Sequence, residues 1–160
     1  LLEAVVSLQN DIRKEGQAAV RLSILQPPLR NSGPKGHATP RDRGAKPFLV
    51  MGHDSRLGQV LTNLLDNARS FAPPGTAIGV ALARDGADAV ITVEDEGPGI
   101  PDHALERIFE RFYTDRPLEQ GFGQNSGLGL SISRQIVEAH RGSIKASNRL
   151  RADGSVGGAC

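Results

Sequence analysis

Apolar residues recur at a helical period across positions 54–71. Leu57, Val60, Leu61, Leu64, Leu65 and Ala68 fall at i, i+3, i+4, i+7, i+8 and i+11. That spacing predicts a helix with one buried stripe, opened by Asp54 as N-cap and stopped by Pro73, Pro74 and Gly75. A second helix reads over 1–16, from Leu1, Leu2, Val5, Val6 and Ile12 to a stop at Gly16, and a third from about Gly127 to His140. Strand patterns occupy Ala19–Leu25, Pro47–Met51, Ala77–Arg84, Ala89–Glu94 and Ser143–Ser147. The turn Asp85-Gly86-Ala87-Asp88 joins the third and fourth of these. Ala152-Asp153-Gly154 turns the fifth into a hairpin whose last strand reads as unfinished at Cys160. A short helix is expected over about 102–109, with loops over 26–47 and 113–126. The order of elements predicts one domain over 1–160, an α+β sandwich with a mixed, mostly antiparallel sheet and three helices on one face.

Composition narrows the function classes. A chain of 160 residues fits one domain that needs no disulfide. The single Cys160 excludes an internal disulfide and a multi-thiolate metal site, and it suits a reducing compartment such as the cytoplasm. No apolar run reaches the roughly 20 residues that span a bilayer, so no membrane contact is expected. A net charge of +1 with no Trp and one Tyr argues against nucleic acid. The 26–47 loop holds five Pro, three Gly and five basic residues against one acid, Asp42. It reads either as a solvated loop or as a patch for phosphate or a partner. The chain has 19 Gly, well above the roughly 7% usual share, and six of them crowd into positions 97–129.

Three places hold candidate chemistry. On the 54–71 helix, Asn63 and Asn67 are four apart and project from nearly the same face. They are either solvated polar residues or hard, neutral oxygen ligands suited to Mg²⁺ shared with phosphate. Asp95-Glu96-Gly97-Pro98-Gly99-Ile100 follows a strand. It is either a turn with a satisfied Asp or an acceptor-only carboxylate matched to an exocyclic amino group such as adenine's. The run Gly121-Phe122-Gly123-Gln124-Asn125-Ser126-Gly127-Leu128-Gly129-Leu130 enters a helix. It is either a flexible loop or a phosphate cradle of main-chain N–H groups at a helix N-terminus. Neither a Walker pattern nor a strand-first GxGxxG fits it.

Taken together, in this order and spacing, the three resemble the boxes of the ATP-binding domain of bacterial sensor histidine kinases, in the superfamily shared with gyrase and MutL. Gln59 to Ala68 looks like the N box, Asp95 to Ile100 like G1, and Phe109-Glu110-Arg111-Phe112-Tyr113 like the F box. Ser126 to Leu130 looks like G2, and Gly157-Gly158 like the start of G3. The resemblance is close over 48–160 and loose over 1–25. It implies the Bergerat ATP-binding fold with ATP and Mg²⁺. Asn67 would ligate the metal, and Asn63 would support the metal or the phosphates. Asp95 would take the adenine amino group, with Gly97, Gly99 and Ile100 beside the ring. Gly127, Leu128 and Gly129 would offer amides to the phosphates. Ser70, Phe71, Phe112, Tyr113, Ser126 and Leu130 complete the expected nucleotide-binding set. Residues 113–126 would be the ATP lid, with Phe109 and Phe112 anchoring its start. Many family members place Lys or Arg three residues after the second Asn. Here Ser70 stands there and Arg69 precedes it, about 100° round the helix. Arg69-Ser70-Phe71 and the 26–47 loop resemble an alphaproteobacterial envelope-stress sensor subgroup.

By the same resemblance the γ-phosphate acceptor is a histidine on a separate dimerisation domain. His37, His53, His103 and His140 lack its sequence context, and His140 reads as a surface residue favoured by a helix C-terminus. The expected chain is therefore a monomeric catalytic piece of an inner-membrane sensor kinase, placed in the cytoplasm and inactive as an autokinase on its own. Its partners would be its own dimerisation domain and a downstream response regulator. Where hydrolytic relatives carry a water-activating Glu, this chain carries Asn63, a neutral amide that cannot take the proton. A hydrolytic ATPase, a serine kinase of the anti-sigma type and a nucleotide-binding docking module are the rival readings.

Overall fold

A computed structural model of the chain describes residues 1–11, 17–24, 48–113, 127–151 and 153–160. Strand β2 (Ala77–Asp85) is central. It pairs in parallel with β1 (Ala19–Ile24), from Ala19↔Ala77 to Ile24↔Leu82, and antiparallel with β3 (Asp88–Glu94), from Gly79↔Glu94 to Asp85↔Asp88. Alternation along β2 sends Ile78 and Val80 to one face, in rows with Val20, Leu22 and Val93. Helices α1 (Leu2–Asp11) and α2 (Asp54–Phe71) close that face with Val6, Leu65 and Ala68. Ile78 and Leu65 are among the most deeply buried side chains. Burying each contributes about 1.5–3 kcal/mol. Helix α3 (Gly129–Ala139) packs on α2. The hairpin β4 (Asn148–Leu150) and β5 (Val156–Ala159) docks at the end of β3, where the Asp95 N–H donates to the Ala159 carbonyl at 3.0 Å. The described residues thus form the expected α+β architecture with a mixed sheet. No described helix is long and apolar enough to cross a membrane.

The helix 54–71 and the strands at 77 and 89 lie where the pattern puts them. Four expectations change. Asp54 is not the N-cap. His53, extended at φ −88° and ψ 114°, holds that position, and Asp54 Oδ1 accepts the Ser55 N–H at 2.7 Å from inside the first turn. Residues 48–51 form no strand; Leu49 and Met51 are 84% and 95% exposed. Over 102–109 the chain makes two 3₁₀ turns, Asp102–Ala104 and Arg107–Phe109, in place of one helix. The strand expected at Ser143–Ser147 begins instead at Asn148, although Ser147 and Cys160 exchange both backbone bonds at 2.9 Å. The ends of the first helix and strand at 12–16 and Leu25, the basic 26–47 loop, and 114–126 lie outside the described residues.

Two side chains tie the helices together. Arg69, with a side chain only 10% exposed, turns toward α1. Its Nη1 donates to Gln9 Oε1 at 2.6 Å and its Nη2 to the Gln9 carbonyl at 3.1 Å, one of the last four carbonyls of α1. Arg69→Ala would leave the buried Gln9 acceptors unpaired. We expect about 2–3 kcal/mol lost, read as a lower urea midpoint at unchanged slope. At the other end, His140 is not a freely solvated surface residue. Its Nε2 accepts the His53 N–H at 3.1 Å, so Nδ1 carries the proton and donates to the Ile136 carbonyl at 2.7 Å. This neutral tautomer links the C-terminus of α3 to the start of α2.

Candidate nucleotide-binding site

Asp95 directly follows β3 and is 6% exposed. Its Oδ1 accepts two main-chain N–H groups, from Gly97 at 2.8 Å and Ala159 at 3.2 Å. Its carbonyl accepts Arg149 Nη1 at 3.1 Å. The side chain is therefore locked in rotation. Its Oδ2, without a partner among the described residues, is the acceptor left for a ligand. Gly97 is buried against the last turn of α2, where a Cβ would fall 2.9 Å from the Phe71 carbonyl oxygen. The carboxylate and the Asn-bearing helix thus share one site.

The two asparagines on α2 separate in role. Asn63 Nδ2 donates to the Gly129 carbonyl at 3.0 Å and to Ser133 Oγ at 3.2 Å, which binds α2 to the first turns of α3. Asn67 has no side-chain hydrogen bond among the described residues, so its amide oxygen is open to a ligand. Ser70 Oγ donates to the Asn67 carbonyl at 2.7 Å, an i→i−3 bond that turns the hydroxyl onto its own helix. Arg69, held by Gln9, does not stand in for the basic residue that many relatives have at position 70. No cluster of three or more His, Cys, Asp or Glu occurs among the described residues. A Mg²⁺ ion here would take Asn67 as its protein ligand and find the rest in phosphate and water, which matches that ion's habit.

The segment 114–126, with Ser126 in it, lies outside the described residues, but both of its flanks are in view. The Phe112 N–H donates to the Gly127 carbonyl at 2.9 Å, so the two flanks meet. Phe109 is buried under the Arg134 guanidinium of α3, 4.6 Å from its ring centre, while Arg134 Nη2 reaches Glu106 Oε2 at 3.1 Å. Phe109 therefore anchors this flank by its side chain. Phe112 does so by backbone alone: its ring is 71% exposed and its φ is 64°. Tyr113 is half-buried with the Arg107 guanidinium 4.8 Å from its ring centre. Leu128 stands at the N-cap of α3, and the N–H groups of Gly129 and Leu130 in the first turn have no intrahelical acceptor. Among the described residues they have no acceptor, so they could meet an anion.

Residues 52–158 match the family model described as "Histidine kinase-, DNA gyrase B-, and HSP90-like ATPase". The chain belongs to this family. Among curated relatives, the sensor protein ChvG of Agrobacterium fabrum is 56% identical over 121 residues, 74% of this chain and 20% of that protein. ChvG of Rhizobium meliloti is 52% identical over 120 residues, 74% of this chain and 21% of that protein. The chain thus spans about a fifth of the length of these relatives. Among solved structures, the mycobacterial sensor histidine kinase MprB superposes with a TM-score of 0.69 at 26% identity, over 99% of this chain and 86% of that one. The catalytic domain of histidine kinase ThkA gives 0.68 at 26% identity, over 99% and 84%. Within the family, the chain has the architecture of a histidine kinase ATP-binding catalytic domain.

The sequence boxes point to Asp95, Asn67 and the start of α3 as candidates. They do not reveal Arg149, Asn148, Arg134 or the Arg69–Gln9 pair. None of these had a local signal; Asn148 lies just past the strand expected at Ser143–Ser147.

Proposed function

We propose that this domain binds Mg·ATP and presents the γ-phosphate to a histidine on a separate dimerisation domain of the same kinase. That kinase is a sensor with this domain on the cytoplasmic side, and the phosphoryl group passes on to a response regulator. The observation that carries the reading is Asp95: buried, rotationally locked, with one acceptor oxygen left. An acceptor-only group at the floor of a site selects a base with an amino donor. The α3 amides meet the phosphates, and Asn67 holds the metal. The metal would neutralise charge between the β- and γ-phosphates.

In the transfer step, an unprotonated imidazole nitrogen forms the P–N bond while the bond from γ-phosphorus to the β,γ-bridging oxygen breaks and ADP leaves. Positioning and charge neutralisation are what the domain supplies. Asn63, with an amide where a hydrolase needs a base and its nitrogen already bound to α3, favours transfer over hydrolysis.

Asn67→Ala is the test. We expect transfer to a supplied dimerisation domain to fall at least about a hundredfold, since a metal ligand is lost and transfer depends on placement. Unfolding should shift little, because no protein partner loses a bond. Wild-type transfer by this variant would overturn the metal assignment. Rapid phosphate release by the unmodified domain without an acceptor would favour the hydrolase.

A further inference from the structure

Beyond the family boxes, β4 contributes two consecutive residues to the loop 96–100. Asn148 Oδ1 accepts the Ile100 N–H at 2.7 Å, and Asn148 Nδ2 donates to the Ile100 carbonyl at 2.7 Å. Both ends of one amide are thereby spent on one peptide unit at each side of a single residue, 48 positions away in sequence. Its neighbour Arg149 turns to the other face of the strand. There it binds the Asp95 carbonyl at 3.1 Å and lies 3.4 Å from Glu94 Oε2. Between these grips sits Gly99 at φ 82°, where a Cβ would come within 2.8 Å of Asn148 Oδ1 and collide with Val156 Cγ1 of β5. The loop is therefore clamped at its far end by Asn148 and at its near end by Arg149, and Gly99 between them has no space for a side chain.

We propose that Asn148 is a positioning residue for base recognition. By fixing Ile100 it holds the loop so that the Gly97 N–H stays on Asp95 Oδ1, and that bond keeps Oδ2 aimed at the purine amino group. The chain of action runs Asn148 to Ile100, through Gly99, to Gly97 and Asp95. Asn148 itself touches no nucleotide. This rests on the reading of Asp95 as the adenine acceptor.

The chemistry dictates the variant. In Asn148→Asp one oxygen still accepts the Ile100 N–H, but the other replaces a donor and faces the Ile100 carbonyl, acceptor against acceptor. Size is unchanged, so packing against Gly99 survives. The probes are ADP, its inosine analogue IDP, which lacks the exocyclic amino group, and inorganic tripolyphosphate. Each is titrated calorimetrically against the full chain.

We expect Asn148→Asp to weaken ADP about tenfold, to compress the ADP-over-IDP preference at least about fivefold, and to leave tripolyphosphate within twofold. Asn148→Ala should do the same, and Asn148→Asp alone decides if the alanine variant does not fold. A purely structural role would weaken all three probes together alongside a lowered melting temperature, and that pattern overturns the proposal. So does an ADP/IDP ratio within twofold of wild type. Asp95→Asn is the control that separates the two ideas. If it keeps the wild-type ratio, the reading of Asp95 is wrong. If it loses the ratio while Asn148→Asp keeps it, only the role given to Asn148 is wrong.

Discussion

Asp95→Asn is expected to weaken ATP binding by at least about a hundredfold and to turn the base preference away from adenine. Oδ1 of Asp95 receives two main-chain N–H groups, from Gly97 and Ala159. In the variant, the amide oxygen must take over that position, because an NH₂ group there would face two donors. The NH₂ is thereby forced onto the ligand side, where the carboxylate offered an acceptor. An arriving adenine amino group then meets a donor. The loss combines a hydrogen bond to a charged group with a donor–donor conflict, about 3 kcal/mol, or roughly two decades in affinity. A base with a carbonyl at the same position meets a matching donor. Titration with ADP and IDP should therefore show ADP falling while IDP holds or gains. The polypeptide loses no bond in the exchange, so the urea midpoint should move little. An ADP affinity within threefold of wild type would remove Asp95 from the site.

How much of this was readable in the sequence depends on the range over which each feature is determined. Helix α2 is local information: six apolar residues at helical spacing and a Pro-Pro-Gly stop define it, and both of its ends agree with the pattern. Its N-cap is not local in the same sense. Asp54 has the right chemistry, but the backbone leaves the extended region one residue earlier, at His53, whose N–H is held by His140 from 87 positions away. Residues 48–51 have the composition of a strand. A strand, however, exists only through a partner's ladder; Leu49, Val50 and Met51 stand in solvent, and Phe48 is half-buried with the Arg84 guanidinium 4.9 Å from its ring centre.

Arg69 shows the same limit within the site. Its helical angle relative to Ser70 is calculable from the sequence, but the Gln9 that captures it is 60 residues away on another helix. Asn63 and Asn67 share a face by spacing. Yet α3 takes the amide of one and leaves the other open, a difference that no spacing rule contains. The candidate residues proposed to face ligand were legible because their types are chemically restricted. Those that hold them, Asn148 and Arg149 above all, act through long-range contacts and have no spacing to betray them.

Gly158→Ala should be the most disruptive glycine-to-alanine change among the described residues. Gly158 lies in β5 at φ 141°, a conformation that L side chains rarely adopt. A Cβ there would land on the Asp95 carbonyl oxygen, 2.8 Å from its carbonyl carbon and 3.1 Å from Glu96 Cα. These are backbone atoms at the head of the nucleotide loop, and Arg149 and Ala159 hold them from two sides. They cannot swing away as a flexible side chain would, so the hairpin must lift off β3. We expect about 2–4 kcal/mol of lost stability from the overpacking and the backbone strain together. For a domain of this size that is roughly a 5–15 °C drop in melting temperature.

ADP binding should fall with it, because lifting the hairpin removes the Ala159 N–H from Asp95 Oδ1 and the Arg149 grip from its carbonyl. Gly157→Ala is the matched comparison. Its Cβ would meet Cγ of Arg151 at 2.7 Å and Nε at 3.2 Å, and this exposed side chain can turn aside by giving up its Nη1 bond to the Val156 carbonyl. That variant should stay within about 1 kcal/mol of wild type and bind ADP normally. Equal losses in the two variants would mean that β5 tolerates a side chain at neither glycine and that the contact with Asp95 is incidental. A loss confined to Gly158→Ala would tie the fit of β5 against Asp95 to the shape of the base pocket.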